Sequence, residues 1–318
     1  MKRIALFTSG GDAPGMNALI RAVTRIGLSN GLEVIGIYGG FSGMIDGNFV
    51  KLGRKETANI ISLGGTILLT SRSKEFMHAG GRAAAAKNLK EWGIDGVVAC
   101  GGDGTFHGSH ALWLEHKIPI VGVPGTIDND LYGTEYTIGF DTAINTAAEA
   151  IDKIRDTAYS HNRVFIIEVM GRDAGFIAMD VGIACGAEYI AVPETVTDID
   201  QLYQRILQQQ KRRTIIIVGE GDEYGGAVVF AQTLKDKFEI DAKVTILGHI
   251  QRGGSPTVRD RVLASHLGKA AVMALLEGKT DVMIGRVHHE ITYVPFEETW
   301  SKKKYLQDWR LDLADSLA

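Results

Sequence analysis

Short apolar runs that end in glycine-rich turns and pass directly into helical periodicity recur along this chain, and that alternation restricts the fold most. Ile4 to Thr8, Glu33 to Tyr38, Thr66 to Thr70, Asp95 to Cys100, Ile118 to Val123, Val164 to Val169, Tyr189 to Val192, Thr214 to Val218 and Val244 to Leu247 each read as strands. They are too short for helices, rich in β-branched residues and mostly without polar alternation, as strands buried on both faces must be. Between them lie amphipathic or Ala-rich helical segments. In Phe140 to Ala158 the apolar stripe is Ile144, Ala147, Ala148, Ile151 and Ile154, and Ala83 to Trp92 is helical by propensity. Strands alternating with helices imply an α/β fold with mainly parallel sheets covered on both faces. A length of 318 residues is enough for roughly two domains.

Sheets of this kind bind ligands outside the carboxyl ends of their strands, so the turns there carry the functional signal. After the first strand comes Ser9-Gly10-Gly11-Asp12-Ala13-Pro14-Gly15, then a helix with Leu19, Ala22, Val23 and Ile26 on its apolar face. Backbone amides and the helix dipole at such a turn can receive a phosphate, although the spacing is not the dinucleotide fingerprint. The run Thr66 to Thr70 ends in Ser71-Arg72-Ser73, where Arg72 is either a phosphate contact or a surface residue. In Gly101-Gly102-Asp103-Gly104-Thr105 the glycines permit close backbone approach while Asp103 reaches a Mg²⁺.

The next strand ends in Pro124-Gly125-Thr126-Ile127-Asp128-Asn129-Asp130. Asp128 and Asp130 suit a general base and a hydroxyl or metal contact; the alternative is an Asx-type turn. Two successive strand ends, both acidic, place a metal-type and a base-type carboxylate side by side at one sheet edge. Met170-Gly171-Arg172, Glu220 within Gly219-Glu220-Gly221, and His249 with Arg252 in Gly248 to Gly254 add cations and glycines suited to an anionic ligand. Gly278-Lys279-Thr280 imitates the end of a P-loop, but Met273 stands at the first glycine position and the segment follows a helix.

A net charge of -4 argues against a general nucleic-acid or membrane-surface binder. Cys100 and Cys185 make no disulfide framework and read as packing residues of a reducing compartment. No apolar run suits a signal peptide or a membrane helix, so a soluble, cytoplasmic protein without nucleic-acid or membrane partners is expected.

Taken together and in order, Gly10 to Asn17, Gly101 to Gly104, Pro124 to Asp130, Met170 to Arg172 and Gly248 to Gly254 resemble the motifs of bacterial 6-phosphofructokinases, over essentially the whole chain. The resemblance implies two similar three-layer domains with the active site in the cleft between them. The larger, ATP-binding domain would comprise residues 1–139 and 252–302; the smaller, sugar-phosphate domain residues 140–251 and 303–318. It further implies ATP as co-substrate at Gly11, Arg72, Ser73, Gly102, Asp103, Gly104 and Thr105, with Asp103 serving Mg²⁺. Asp128 would be the base, Thr126 and Arg172 would stabilise the transferring phosphoryl, and Asp130 would align the sugar. Fructose 6-phosphate would be held by these together with Met170, Gly171, Glu220, His249 and Arg252, and by Arg163 and Lys243 of a neighbouring subunit.

An effector site for ADP or phosphoenolpyruvate resembles Arg21, Arg25, Arg54, Arg155, Lys211 and Arg213, with Glu188 facing a metal. The family pattern leads to Arg where this chain has Lys243, and to a homo-oligomer, a tetramer, with sites shared between subunits. The alternatives are a pyrophosphate-dependent relative and a non-catalytic nucleotide sensor. Small glycines at 104 and 125 speak against the first, and both Asp103 and Asp128 against the second.

Overall fold

The computed structural model describes residues 1–161, 163–208 and 214–317. They gather into two compact units: Met1–Ile127, Leu131–Thr142 and Arg252–Lys304 in the larger, and Asp128–Asp130, Ala143–Gln251 and Tyr305–Ala318 in the smaller. The larger begins with β1 (Arg3–Thr8), α1 (Met16–Ser29), β2 (Glu33–Ile37), α2 (Gly40–Asp46), β3 (Phe49–Leu52), α3 (Ala79–Glu91), β4 (Gly96–Gly101), α4 (Asp103–His116), β5 (Ile120–Thr126) and β6 (Ile138–Gly139). Helix α5 (Phe140–His161) leads into β7 (Phe165–Val169), α6 (Phe176–Ala184), β8 (Tyr189–Ala191), α7 (Ile199–Gln208), β9 (Ile215–Gly219), α8 (Ala227–Phe238) and β10 (Lys243–Ile246). The chain then supplies α9 (Val258–Leu276), β11 (Val282–Val287), β12 (Glu290–Pro295) and α10 (Glu298–Ser301) to the larger unit and α11 (Asp308–Leu317) to the smaller.

The larger sheet runs β12-β11-β5-β4-β1-β2-β3, with β6 beside β5, and the smaller runs β10-β7-β9-β8. All neighbours are parallel except at the two ends of the larger sheet, where β3 and β12 pair antiparallel. Burial explains the apolar runs. Ile4, Leu6, Phe7, Val97 and Val98 are fully buried on a sheet covered on both faces. In α5 the buried stripe is Ala143, Ala147, Ile151 and Ala158.

The core of the larger unit gathers Phe7, Phe41, Phe76, Phe106 and Phe296. Gly122 of β5 lies between two of these rings, because a Cβ there would meet both Phe106 and Phe296 at 2.5 Å. Gly15 starts α1 in the left-handed region at φ 111°, where a side chain would also strike Ile138. The core of the smaller unit is built on Ile166, Ile216, Val218, Phe230 and Leu234.

Several elements differ from the expectation: the glycine-rich stretch after β2, expected as a flexible loop, begins α2, and two other differences have a clear physical reason. Thr66 to Thr70 is not a strand but a turn, closed by Leu69 donating its amide to Thr66 O at 3.2 Å, with Leu69 left-handed at φ 57°. Leu68 alone is fully buried, against Gly36, while Leu69 is exposed and the segment joins no ladder. The hairpin β11–β12 had no sequence signal, since His288 and His289 take the two positive φ angles that Asn-Gly ordinarily supplies. The Gly278 segment follows α9, so the P-loop likeness is accidental, as its context indicated.

Candidate active site

Sheet order sets the site in the larger unit. Strands β5, β4 and β1 are neighbours, with Thr8 opposite Cys100 and Gly101 opposite Pro124. Their carboxyl ends therefore present the Gly10 loop, the Gly102 loop and Thr126 in one row. Ser9 donates its amide to Cys100 O at 2.9 Å. Gly101 must be glycine, because a Cβ would lie 2.6 Å from Ser9 O and 2.2 Å from Thr105 Oγ1. The segment that carries Arg72 is strapped to the same loop. Thr8 Oγ1 donates to Leu69 O and Thr70 Oγ1 to Gly10 O, at 2.9 and 2.8 Å. These threonine straps join the segment that leads to Arg72 to the loop that carries Gly11, and only the chain's return path reveals them. Ser73 Oγ accepts from the Phe76 amide at 3.2 Å.

Asp103 is exposed in the first turn of α4, a helix long enough for its dipole to favour an anion at that end. Among the described residues no three His, Cys, Asp or Glu side chains gather to hold a metal ion. A single exposed carboxylate beside the loop expected to take phosphate would fit Mg²⁺, an ion that keeps several waters and is shared with substrate phosphates. A Cβ at Gly104 would meet nothing within 4 Å, so the space there is open. Gly125 is different: a Cβ would lie 2.5 Å from Cys100 Sγ, so the core itself requires glycine and the residue carries no information about the phosphate donor. Burial pushes the Cys100 thiol up to about 12, consistent with a packing role.

Arg252, an expected sugar-phosphate cation, sets its guanidinium on the Gly11 loop. It donates to Asp12 O at 3.3 Å, and a Cβ on Gly11 would come within 2.3 Å of Nη1.

In the smaller unit Asp128 is 4% exposed, with Arg172 Nε 3.9 Å from its Oδ2. Both sides of this pair use left-handed backbone, Asn129 at φ 55° and Arg172 at φ 53°. Glu220 Oε2 accepts from the Arg172 amide at 3.3 Å. Met170 and Gly171 precede Arg172 at the end of β7, beside the end of β9. Asp130 is half-buried and His249 exposed.

At the far edge of the same sheet Lys243 lies opposite Phe165 and binds Asp241 Oδ2 at 2.7 Å. Lys243 holds the Asp241 carboxyl below its ordinary range, chiefly through that hydrogen bond, and Arg163 adds to the effect. Lys243 is thus paired with a carboxylate absent from the predicted site.

The family profile described as phosphofructokinase matches residues 3–275. The chain belongs to the phosphofructokinase family. It is 56% identical over 321 residues to ATP-dependent 6-phosphofructokinase 1 of Thermus thermophilus, covering 100% of both chains. It is 51% identical to the ATP-dependent 6-phosphofructokinase of Cytophaga hutchinsonii, over 100% of this chain and 98% of that one. Among solved structures, the phosphofructokinase from Saccharomyces cerevisiae matches with a TM-score of 0.89 at 38% identity, over 94% of this chain and 45% of that chain. The pyrophosphate-dependent phosphofructokinase from Marinobacter aquaeolei matches at 0.84 and 22% identity, over 100% and 91%, a likeness that speaks for the fold alone.

The residues read as a phosphofructokinase effector site divide between the units. Arg21, Arg25 and Arg54 belong to the larger, the first two half-buried on α1 and the third exposed. Arg155 and Glu188 belong to the smaller. Arg155 Nη2 donates to the carbonyls of Cys185 and, at 2.9 Å, Gly186. Glu188 Oε2 accepts from the Ile215 amide at 2.7 Å. Lys211 and Arg213 lie outside the described residues.

Proposed function

We propose that this chain transfers the γ-phosphoryl group of ATP to the 1-hydroxyl of fructose 6-phosphate, giving fructose 1,6-bisphosphate and ADP. The observation that carries the reading is Asp128, nearly sealed from water, with a guanidinium 3.9 Å away at the end of a parallel strand. Asp128 takes the proton of the 1-hydroxyl as that oxygen attacks phosphorus. Arg172 and Thr126 neutralise charge on the transferring group, and Asp130 aligns the sugar. Phosphoryl transfer needs positioning and charge compensation more than covalent chemistry, which is what this residue set offers.

The Gly11 loop, Arg72, Ser73 and Gly102 to Thr105 hold the phosphates of ATP, and the open space at Gly104 suits a donor larger than pyrophosphate. Asp103 would hold Mg²⁺, which when bound offsets phosphate charge. Met170, Gly171 and Glu220 hold the sugar, while Arg163, Lys243, His249 and Arg252 hold its 6-phosphate, the first two contributed by another copy of the chain. Exposed Val244 and Ile246 on the edge strand β10, with Ile250 just beyond, support an assembly of copies, which we take to be a tetramer. ADP or phosphoenolpyruvate acts through Arg21, Arg25, Arg54, Arg155, Glu188, Lys211 and Arg213. We take the cytoplasm as the compartment from the family resemblance. No helix among the described residues is long and apolar enough to cross a membrane.

The test is a product assay by ³¹P NMR that crosses ATP and pyrophosphate with a panel of sugar phosphates. Fructose 1,6-bisphosphate and ADP should form from ATP and fructose 6-phosphate. Turnover with pyrophosphate alone, or none with either donor, would overturn the assignment.

A further inference from the structure

Arg172 holds an unusual backbone. Left-handed φ is uncommon outside glycine, and a residue stays there only where its surroundings over-determine it. Those surroundings are the turn after β9, Gly219-Glu220-Gly221. Glu220 grips the amide side, accepting from Arg172 N at 3.3 Å, while its own amide donates to Val169 O at 2.9 Å. Gly221 receives the carbonyl side. A Cβ there would stand 2.1 Å from Arg172 O, 2.9 Å from its carbonyl carbon and 3.2 Å from Asp173 Cα. These are backbone atoms, so no rotamer change relieves the clash. The turn cannot easily retreat either, because the Asp222 amide is bonded to Gly219 O at 3.0 Å and its carboxylate receives Thr197 Oγ1 at 2.9 Å. Gly221 itself is exposed, has no positive φ and borders none of the core that elsewhere enforces glycine.

From this contact we infer that Gly221 is a positioning residue for phosphoryl transfer: its missing side chain leaves the space in which the Arg172 backbone is clamped, and so keeps the guanidinium beside Asp128. The inference rests on the reading of Arg172 as the residue that stabilises the transferring group. It goes beyond that reading by assigning a role to a residue that touches neither substrate.

The experiment is a double-mutant cycle on the full-length enzyme, with ATP and fructose 6-phosphate as probes. Gly221→Ala should lower kcat about ten- to a hundredfold, the scale of a misplaced catalytic group, with the KM for ATP unchanged within about twofold. Combined with Arg172→Ala, the same substitution should cost less than about twofold more, because its target is already gone. Full kcat in Gly221→Ala, or losses that multiply in the double variant, would overturn the inference. Full kcat in Arg172→Ala would instead remove the reading on which it rests, and the inference with it.

If circular dichroism shows that Gly221→Ala does not fold, Glu220→Gln and Glu220→Ala probe the other side of the clamp. Gln keeps an acceptor for the Arg172 amide and should retain more kcat than Ala, and the gap should vanish in the Arg172→Ala background. Equal kcat in the two variants, or a gap that survives there, counts against the clamp.

Discussion

Asp128 and Gly11 illustrate two ways in which a single residue can be tested. Asp128 is nearly buried with a cation at 3.9 Å, and a positioned base contributes about 10²–10⁴-fold. Asp128→Ala should therefore lower kcat by that order while leaving the KM for ATP nearly unchanged in steady-state assays. A variant within a few-fold of the parent would take the base role away from this residue. Gly11 asks a different question, since any side chain there would take the space of the Arg252 guanidinium. Gly11→Ala should push Arg252 aside and raise the KM for fructose 6-phosphate, up to about ten- to a hundredfold if a charge-assisted bond is lost. A rise confined to the KM for ATP would show that this glycine serves the nucleotide phosphates alone.

Among the elements, the starts of α5 and α9 are joined by one buried carboxylate. Asp260, 1% exposed in the first turn of α9, accepts from the amides of Gly139 and Thr142 at 3.0 and 2.8 Å and from Thr142 Oγ1 at 2.6 Å. It satisfies donors that a helix start leaves open, and Thr257 caps its own helix by accepting from the Asp260 amide. Asp260→Ala would orphan these donors, at about 1–3 kcal/mol each, and should lower Tm by several degrees. Burial raises the Asp260 carboxyl above its ordinary 3.8, against the pull of the Thr142 and Gly139 bonds. With the folded value above the unfolded one, its titration adds stability that is fully present below the ordinary carboxyl range. That stability is lost as pH rises through the raised value. The gap in unfolding free energy between parent and Asp260→Ala should accordingly narrow with rising pH across that window, as urea titrations would read. A gap that widens would contradict the raised carboxyl.

At the scale of the whole molecule the open question is whether copies complete one another's sites. Lys243, on the edge strand β10 of the smaller sheet, is paired with Asp241, and Arg163 precedes the neighbouring strand β7. If Arg163 and Lys243 reach a neighbouring copy's sugar phosphate, Lys243→Ala should raise the KM for fructose 6-phosphate far more than that for ATP. Lys243→Arg should be tolerated, since a guanidinium fork binds two phosphate oxygens. Mixing Asp128→Ala with an Arg163→Ala, Lys243→Ala double variant should restore part of the activity in hybrids confirmed by native mass spectrometry. Confirmed hybrids without any recovery would show that each copy works alone.

Local patterns were enough for the strands β1, β2, β4, β5, β7, β8, β9 and β10, the turns that end them, and the helices α1, α3 and α5, whereas α2 and α6 left no such mark. Uninterrupted β-branched runs, glycine turns and helical stripes are local properties of the chain, and burial on both faces leaves them no other arrangement. The sequence also marked Asp103 and Asp128, because acidic residues just after buried strands are locally conspicuous. Other features depend on contacts that local patterns do not encode. Thr66 to Thr70 has the composition of a strand, yet it folds as the turn that straps Arg72 to the Gly10 loop, because Leu68 finds its burial against Gly36. Arg252 meets the Gly11 loop from 240 residues away. Gly125 and Gly221 look alike in the sequence, yet one is required by Cys100 in the core and the other by the backbone of Arg172. Such contacts follow from register and from close approach between distant segments, and these exist only once the sheets have assembled.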